Sequence, residues 1–241
     1  MLNLKALLDW IFELRYFHPD EVIEGRTAIP FYRSDGDPES KLVLVLGENA
    51  GGKSFFRRLI QLACNKRSKH KRFQVREIIP LSMEARSGDF TVRSLIYGDE
   101  ARESTGECSA RTVTTAIKTI QGRDHESILY WDEPDLGMSA AAAAGAGMAI
   151  KEFIDNSPEL LQAVFLTTHS PAIVSQLLHC QHRPHYLYLG NEACPLSLED
   201  WVKQQIDLVW SPALSPEQIM TMSRQRYLDI NAILNDKKKR S

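Results

Sequence analysis

The stretch "GENAGGKS", Gly47–Ser54, follows directly on the apolar run "KLVLVL" at 41–46 and leads into "FFRRLIQLAC" at 55–64. Its spacing is G-x-x-x-x-G-K-S, set between a buried strand and the mouth of a helix, the context a phosphate-binding loop requires. Glycines let backbone N–H groups turn inward around phosphate oxygens where a Cβ would obstruct them. The start of the helix adds its partial positive charge. The pattern predicts that Gly47, Glu48, Asn49, Ala50, Gly51 and Gly52 cradle phosphates and that Lys53 reaches the β- and γ-phosphates. Ser54 would offer its hydroxyl to Mg²⁺.

Downstream, "SILYWDEP" at 127–134 is a second buried strand, ending in Asp132 and Glu133. An Asp at the carboxyl end of a strand beside such a loop can hold Mg²⁺. Glu133, pointing the other way on an extended chain, is a candidate general base for an attacking water. "AVFLTTHS" at 163–170 is a third buried strand, ending in His169, a candidate to bond the γ-phosphate or orient the water.

Between these elements helices alternate with strands. "GKSFFRRLIQLAC", "ARTVTTAIKTI", "SAAAAAGAGMAIKEFI" and "PAIVSQLL" read as helices, and "AIPFYR", "FQVREIIP", "DFTVRSLIYG" and "HYLYLG" as further strands. Leu4, Leu7, Leu8, Ile11 and Leu14 recur at helical spacing, so residues 2–17 read as an amphipathic helix. Such alternation implies an α/β fold, a mainly parallel sheet flanked by helices. Residues 1–194 would form one domain, and 195–241 a helical extension ending in the basic tail "DKKKRS".

Composition narrows the partners. A chain of 241 residues with 43% hydrophobic and 25% charged residues is an ordinary globular chain. A net charge of −2 argues against nonspecific coating of nucleic acid, although the basic run "NKRSKHKR" leaves a local contact with nucleic acid open. "LVLVL" is too short to span a bilayer, and the N-terminal segment lacks the pattern of a signal peptide. Both point to a cytoplasmic protein. The four cysteines are scattered, as in reduced thiols. His179, Cys180, His182, His185 and Cys194 lie close in sequence but match no zinc spacing, and the alternation "PHYLYLG" makes His185 the start of a strand.

The order of these elements, with "ARESTGECSARTVTTAI" at 101–117 between them, resembles the ABC-type ATPases. The likeness is to soluble heads such as those of SMC and RecF proteins, over roughly residues 41–175. The resemblance implies binding and hydrolysis of ATP with Mg²⁺. It also makes "ESTGE" the signature loop, with Ser104 on the family serine, Thr105 and Gly106 on its two glycines and Glu107 on the final polar residue. In that family the loop caps the γ-phosphate held by a second subunit, so Ser104 and Gly106 would bind nucleotide across an ATP-dependent homodimer. Tyr32, or Phe31, lies where the adenine would stack. The chain departs from the family at Glu103, where leucine is usual, at Thr105, and at Ser139, which stands where an Asp is usual. Gln74 is a weak counterpart of the Mg²⁺-sensing Gln. About fifty residues separate Ser54 from Ser104, too short a reach for coiled-coil arms or the helical subdomain of a transporter.

The resemblance implies a switch acting on a protein partner such as a nuclease or effector, in DNA maintenance or defence against foreign DNA. Two alternatives stay open on the sequence: the nucleotide-binding subunit of a membrane transporter, and a module that binds ATP without hydrolysing it.

Overall fold

The computed structural model describes residues 2–18, 29–48, 51–64, 73, 75–81, 104–190 and 195–207. Within them, α1 (Leu4–Phe12) and a 3-10 turn (Arg15–Phe17) precede β1 (Phe31–Ser34) and β2 (Leu42–Gly47). Then come α2 (Lys53–Cys64), β3 (Glu77–Leu81), α3 (Thr105–Gln121), β4 (Ser127–Asp132) and α4 (Ala140–Asp155). The chain continues through β5 (Leu161–Thr167), α5 (Pro171–Leu177), β6 (His185–Leu189) and α6 (Leu198–Asp207). The expected strand "DFTVRSLIYG", the basic run at 66–72 and the tail beyond Asp207 lie outside the described residues. Asn49, Ala50, Gln74 and Glu103 do too.

The six strands form one sheet in the order β1-β6-β2-β5-β4-β3. Every pairing is parallel except β1 with β6, so the expected mainly parallel sheet is found. β2, β5 and β6 are buried along their whole length, which is why β2 and the 163–166 stretch of β5 read as continuous apolar runs. Alternation then divides the side chains between two cores. Val43, Val45, Tyr130 and Phe165 meet Leu7, Leu8 and Ile11 of α1 and Phe55, Phe56 and Ile60 of α2. Leu44, Leu46, Trp131 and Leu166 meet α3, α4, α5 and α6 on the other face. Leu198 and Trp201 of α6, in the segment expected as an extension, are part of this second core.

Polar caps fix the helix starts. Asn3, Ser104, Ser139 and Ser170 each accept a bond from a backbone N–H of the first turn. Such caps each contribute about 1 kcal/mol. Pro171 at the opening of α5 has no N–H to leave unpaired. The N-terminal helix ends at Phe12, short of the expected 17, and Tyr16 and Phe17 continue into the core from the 3-10 turn. No helix among the described residues is long and apolar enough to cross a membrane.

Candidate functional site

β5 lies between β2 and β4, and the sheet register makes their carboxyl ends level. Thr167 pairs with Val45 on one side and Asp132 on the other. Three chain segments therefore leave the sheet side by side: the G-x-x-x-x-G-K-S loop after β2, Asp132–Glu133 at β4 and His169 after β5. This is the crevice where open α/β sheets bind ligands.

The loop itself is held against β6. Glu48 N–H donates to the Leu189 carbonyl at 3.2 Å, and a Cβ on either Gly47 or Gly51 would collide with that same carbonyl oxygen. Gly47 also has φ 134°. These two glycines are required by a neighbouring backbone, whatever the loop binds. Gly51 N–H closes a turn onto the Glu48 carbonyl at 3.1 Å, and the Gly52 carbonyl accepts from Phe56 N–H at 2.9 Å, starting α2. The buried Tyr130 donates its hydroxyl to the Lys53 carbonyl at 3.1 Å, tying the first turn of α2 to β4.

Lys53 folds back into this loop. Its ammonium donates to the carbonyls of Gly47 and Glu48, both at 3.0 Å, and lies 2.9 Å from Nε2 of His169. A lysine ammonium has no lone pair to accept with, so His169 Nε2 is the acceptor and the ring proton sits on Nδ1. Burial pulls the Lys53 pKa down to about 8, against the attraction of Glu133, Asp132 and Glu48. Burial first, and then the Lys53 charge, pull His169 down to about 4. Glu133 Oε1 lies 3.7 Å from the same Nε2. Burial and the neighbouring Asp132 charge raise the Glu133 pKa, with Lys53 opposing them. A carboxyl raised in this way is a stronger proton acceptor when ionised.

Glu133 does not continue the strand. Its φ is 50°, the one positive φ of a non-glycine residue among the described residues. The strand ends at Asp132, and the chain turns through Leu136 N–H to the Glu133 carbonyl and Met138 N–H to the Asp135 carbonyl. The extended geometry expected for Glu133 is thus replaced by a left-handed turn. Left-handed backbone at a bulky residue is strained and persists where its surroundings fix it.

Two residues absent from the sequence-based candidates are central here. The Thr167 hydroxyl donates to the Asp132 carboxylate and accepts from Glu133 N–H at 3.3 Å. The Thr168 hydroxyl donates to Asp135 at 2.7 Å and accepts from Ser170 N–H at 2.9 Å. Both threonines are fully buried. Their signal in the sequence was the pair of hydroxyls closing an otherwise apolar strand.

Ser54 is exposed in the first turn of α2. With the Asp132 carboxylate it offers hard oxygen donors of the kind Mg²⁺ takes when phosphate and water complete its shell. The residues present fit that ion. No cluster of three His, Cys, Asp or Glu side chains able to hold a metal occurs among the described residues, and His185 begins β6 as expected.

Other expected site residues make their contacts outside the Lys53–His169–Glu133 cluster. Ser104 caps α3 in a reciprocal box: Glu107 N–H donates to its hydroxyl at 3.3 Å, while the Ser104 amide and hydroxyl donate to Glu107 Oε2 at 2.8 and 2.9 Å. Gly106 faces the loop after Glu133, where a Cβ would stand 2.7 Å from the Gly137 carbonyl oxygen. Ser109 donates to the Leu136 carbonyl at 2.7 Å, so the start of α3 is seated on the loop that follows Glu133. Ser139 serves as the cap of α4. Tyr32 packs on Tyr186 with centroids 5.8 Å apart and donates to the Leu196 carbonyl at 3.0 Å. Its ring joins the core on the α3–α6 face, whereas Phe31 stacks on Phe12 at 4.3 Å on the α1–α2 face. No protein-family model matches the chain, and no curated protein matches it.

Proposed function

We propose that the chain is an ABC-type ATPase head that binds ATP with Mg²⁺, hydrolyses it, and dimerises around it to switch a partner. One observation carries this reading: the Lys53 ammonium and the Glu133 carboxylate lie 2.9 and 3.7 Å from the same nitrogen of His169, where three adjacent strands end beside a G-x-x-x-x-G-K-S loop. A merely structural loop has no need of a lysine, a histidine and a raised carboxyl at one point.

In the reaction, Lys53 leaves the Gly47 and Glu48 carbonyls for the β- and γ-phosphate oxygens. Glu133 accepts a proton from water as the water oxygen bonds to the γ-phosphorus. The bond from that phosphorus to the bridging oxygen breaks, and ADP leaves with the electron pair. His169, released by Lys53, has Nε2 free to accept a bond from that water, while its Nδ1–H remains a donor. Mg²⁺, held by Ser54 and Asp132, would neutralise the phosphate charge.

The partner, a nuclease or other effector in DNA maintenance or foreign-DNA defence, is proposed on the family resemblance. Phosphate release tests the reading. Wild type should hydrolyse ATP in the presence of Mg²⁺, and Glu133→Gln should bind ATP while losing turnover. Absence of nucleotide binding by wild type would remove the proposal.

A further inference from the structure

Two consecutive threonines, Thr167 closing β5 and Thr168 just beyond it, are chemically expensive where they stand. Each is at 0% exposure, and valine would fill the same space without a hydroxyl to satisfy. Each hydroxyl donates one hydrogen bond and accepts one. Thr167 is the last residue of β5 and Thr168 the first beyond it, and both hydroxyls reach the segment Asp132–Asp135 that leaves the neighbouring strand. Thr167 takes its start and Thr168 its turn. Between the two anchor points lies Glu133, in its left-handed conformation.

We infer that Thr167 is a positioning residue for the site: its hydroxyl fixes the Asp132 carboxylate and the Glu133 amide together. The inference rests on the ATPase reading. One Asp132 oxygen, Oδ1, accepts from Thr167, which sets the rotation of the carboxylate and leaves the other oxygen for a cation. The Glu133 N–H is shared between the Thr167 carbonyl at 3.0 Å and the Thr167 hydroxyl at 3.3 Å. One side chain therefore sets both the cation-binding acid and the direction in which the chain carries the base. χ1 of a β-branched residue is stiff, so the hydroxyl is held in place before either carboxylate engages a ligand. Thr168, clamped on Asp135, closes the turn from its other end.

The test compares Thr167→Val, which keeps shape and removes the hydroxyl, with Thr167→Ser, which keeps the hydroxyl. Nucleotide affinity, measured with a fluorescent ATP analogue, should require about tenfold more Mg²⁺ for its half-maximal increase in Thr167→Val. Its kcat should fall about 10- to 100-fold, the range for losing a group that orients a metal ligand. Affinity for the analogue without Mg²⁺ should stay at the wild-type value, because the loop and Lys53 are untouched. In nucleotide-free protein the Glu133 amide resonance should shift in Thr167→Val and return in Thr167→Ser. If Thr167→Val does not fold, Thr167→Ser against Thr167→Ala isolates the same hydroxyl. A Thr167→Val variant with wild-type Mg²⁺ dependence and kcat overturns the inference and leaves the ATPase reading standing. A Thr167→Ser variant as impaired as Thr167→Val also overturns it, since packing would then be the role of this residue. A wild-type protein that binds no nucleotide overturns both.

Discussion

The ammonium of Lys53 lies 2.9 Å from Nε2 of His169, on a ring whose pKa is drawn down to about 4. The lysine of the G-x-x-x-x-G-K-S loop and the histidine that follows β5 are therefore partners without any ligand. That partnership gives the site a resting arrangement: the cation is held by two carbonyls and one imidazole, and burial first, then the cation, keep the imidazole neutral.

His169 should accordingly titrate near pH 4 in the nucleotide-free protein, well below a free imidazole. Lys53→Met removes the charge but leaves the burial that is the larger cause. The midpoint should then rise while remaining below the ordinary value. Carbon-bound ring-proton shifts across a pH series measure it. The linkage has a definite sign. Because the folded pKa is depressed, the unfolded chain takes up a proton first as pH falls. His169 therefore favours folding at neutral pH and loses that contribution as pH falls from about 6.5 towards 4. A His169 midpoint no higher in Lys53→Met than in wild type would contradict the Lys53 contact.

Lys53→Ala should abolish ATP binding, since Lys53 supplies the cation that the loop places among the phosphates. His169→Ala should bind ATP but turn it over about 10²-fold more slowly, as for a polar group lost beside the transition state. Equilibrium binding and single-turnover kinetics separate the two effects. Wild-type affinity in Lys53→Ala would remove the phosphate-loop assignment, and unchanged turnover in His169→Ala would leave the histidine a structural role.

Gly47→Ala and Gly51→Ala should both destabilise the fold, independently of ligand. The atom each new Cβ meets is the Leu189 carbonyl oxygen, part of a strand paired on both sides and unable to yield. A cost of about 3 kcal/mol is expected for Gly47, where overpacking adds to a positive φ. Urea unfolding without nucleotide measures it. Stability within error of wild type would show that β6 does not press on the loop.

The parts of this site written locally were legible in the sequence. The loop follows its strand and opens its helix within fourteen residues, 41–54, and Ser104 with Glu107 three positions on marks a helix start. Residues ending buried strands, such as Asp132 and His169, could be marked because the apolar runs stop there. What depended on tertiary pairing was not legible. The Thr167–Asp132 bond joins residues 35 positions apart and exists only because β5 lies beside β4. The left-handed Glu133 stands between that bond, which no local window contains, and the turn beyond it. Alternation separates Phe31 from Tyr32 by face, but which face each takes depends on how β1 pairs with β6.

The dimer proposal meets a specific obstacle at Glu107, and that obstacle supplies its sharpest test. Glu133→Gln keeps the shape of the base and removes its function, so ATP should bind and remain. If Ser104 caps a phosphate of the other chain, this variant should accumulate as an ATP-bound dimer by light scattering, and Ser104→Arg should return it to monomer. In the single chain, however, the Ser104 hydroxyl and amide both point at the Glu107 carboxylate. Those same bonds hold the carboxylate below its usual pKa, so it is ionised at neutral pH. A phosphate approaching the start of α3 therefore has to displace an anion already seated there. Glu107→Ala removes that competitor and leaves the Ser104 hydroxyl free. In the Glu133→Gln background it should shift dimerisation to lower protein concentration, even though α3 loses half of its capping box. Glu107→Ala should leave the nucleotide affinity of the monomer unchanged, because Lys53 and the loop lie on another element. If the variant instead dimerises more weakly, or Glu133→Gln with ATP stays monomeric at micromolar concentration, the start of α3 is not an anion site. "ESTGE" would then act only as a reciprocal cap that seats the helix on the loop beyond Glu133.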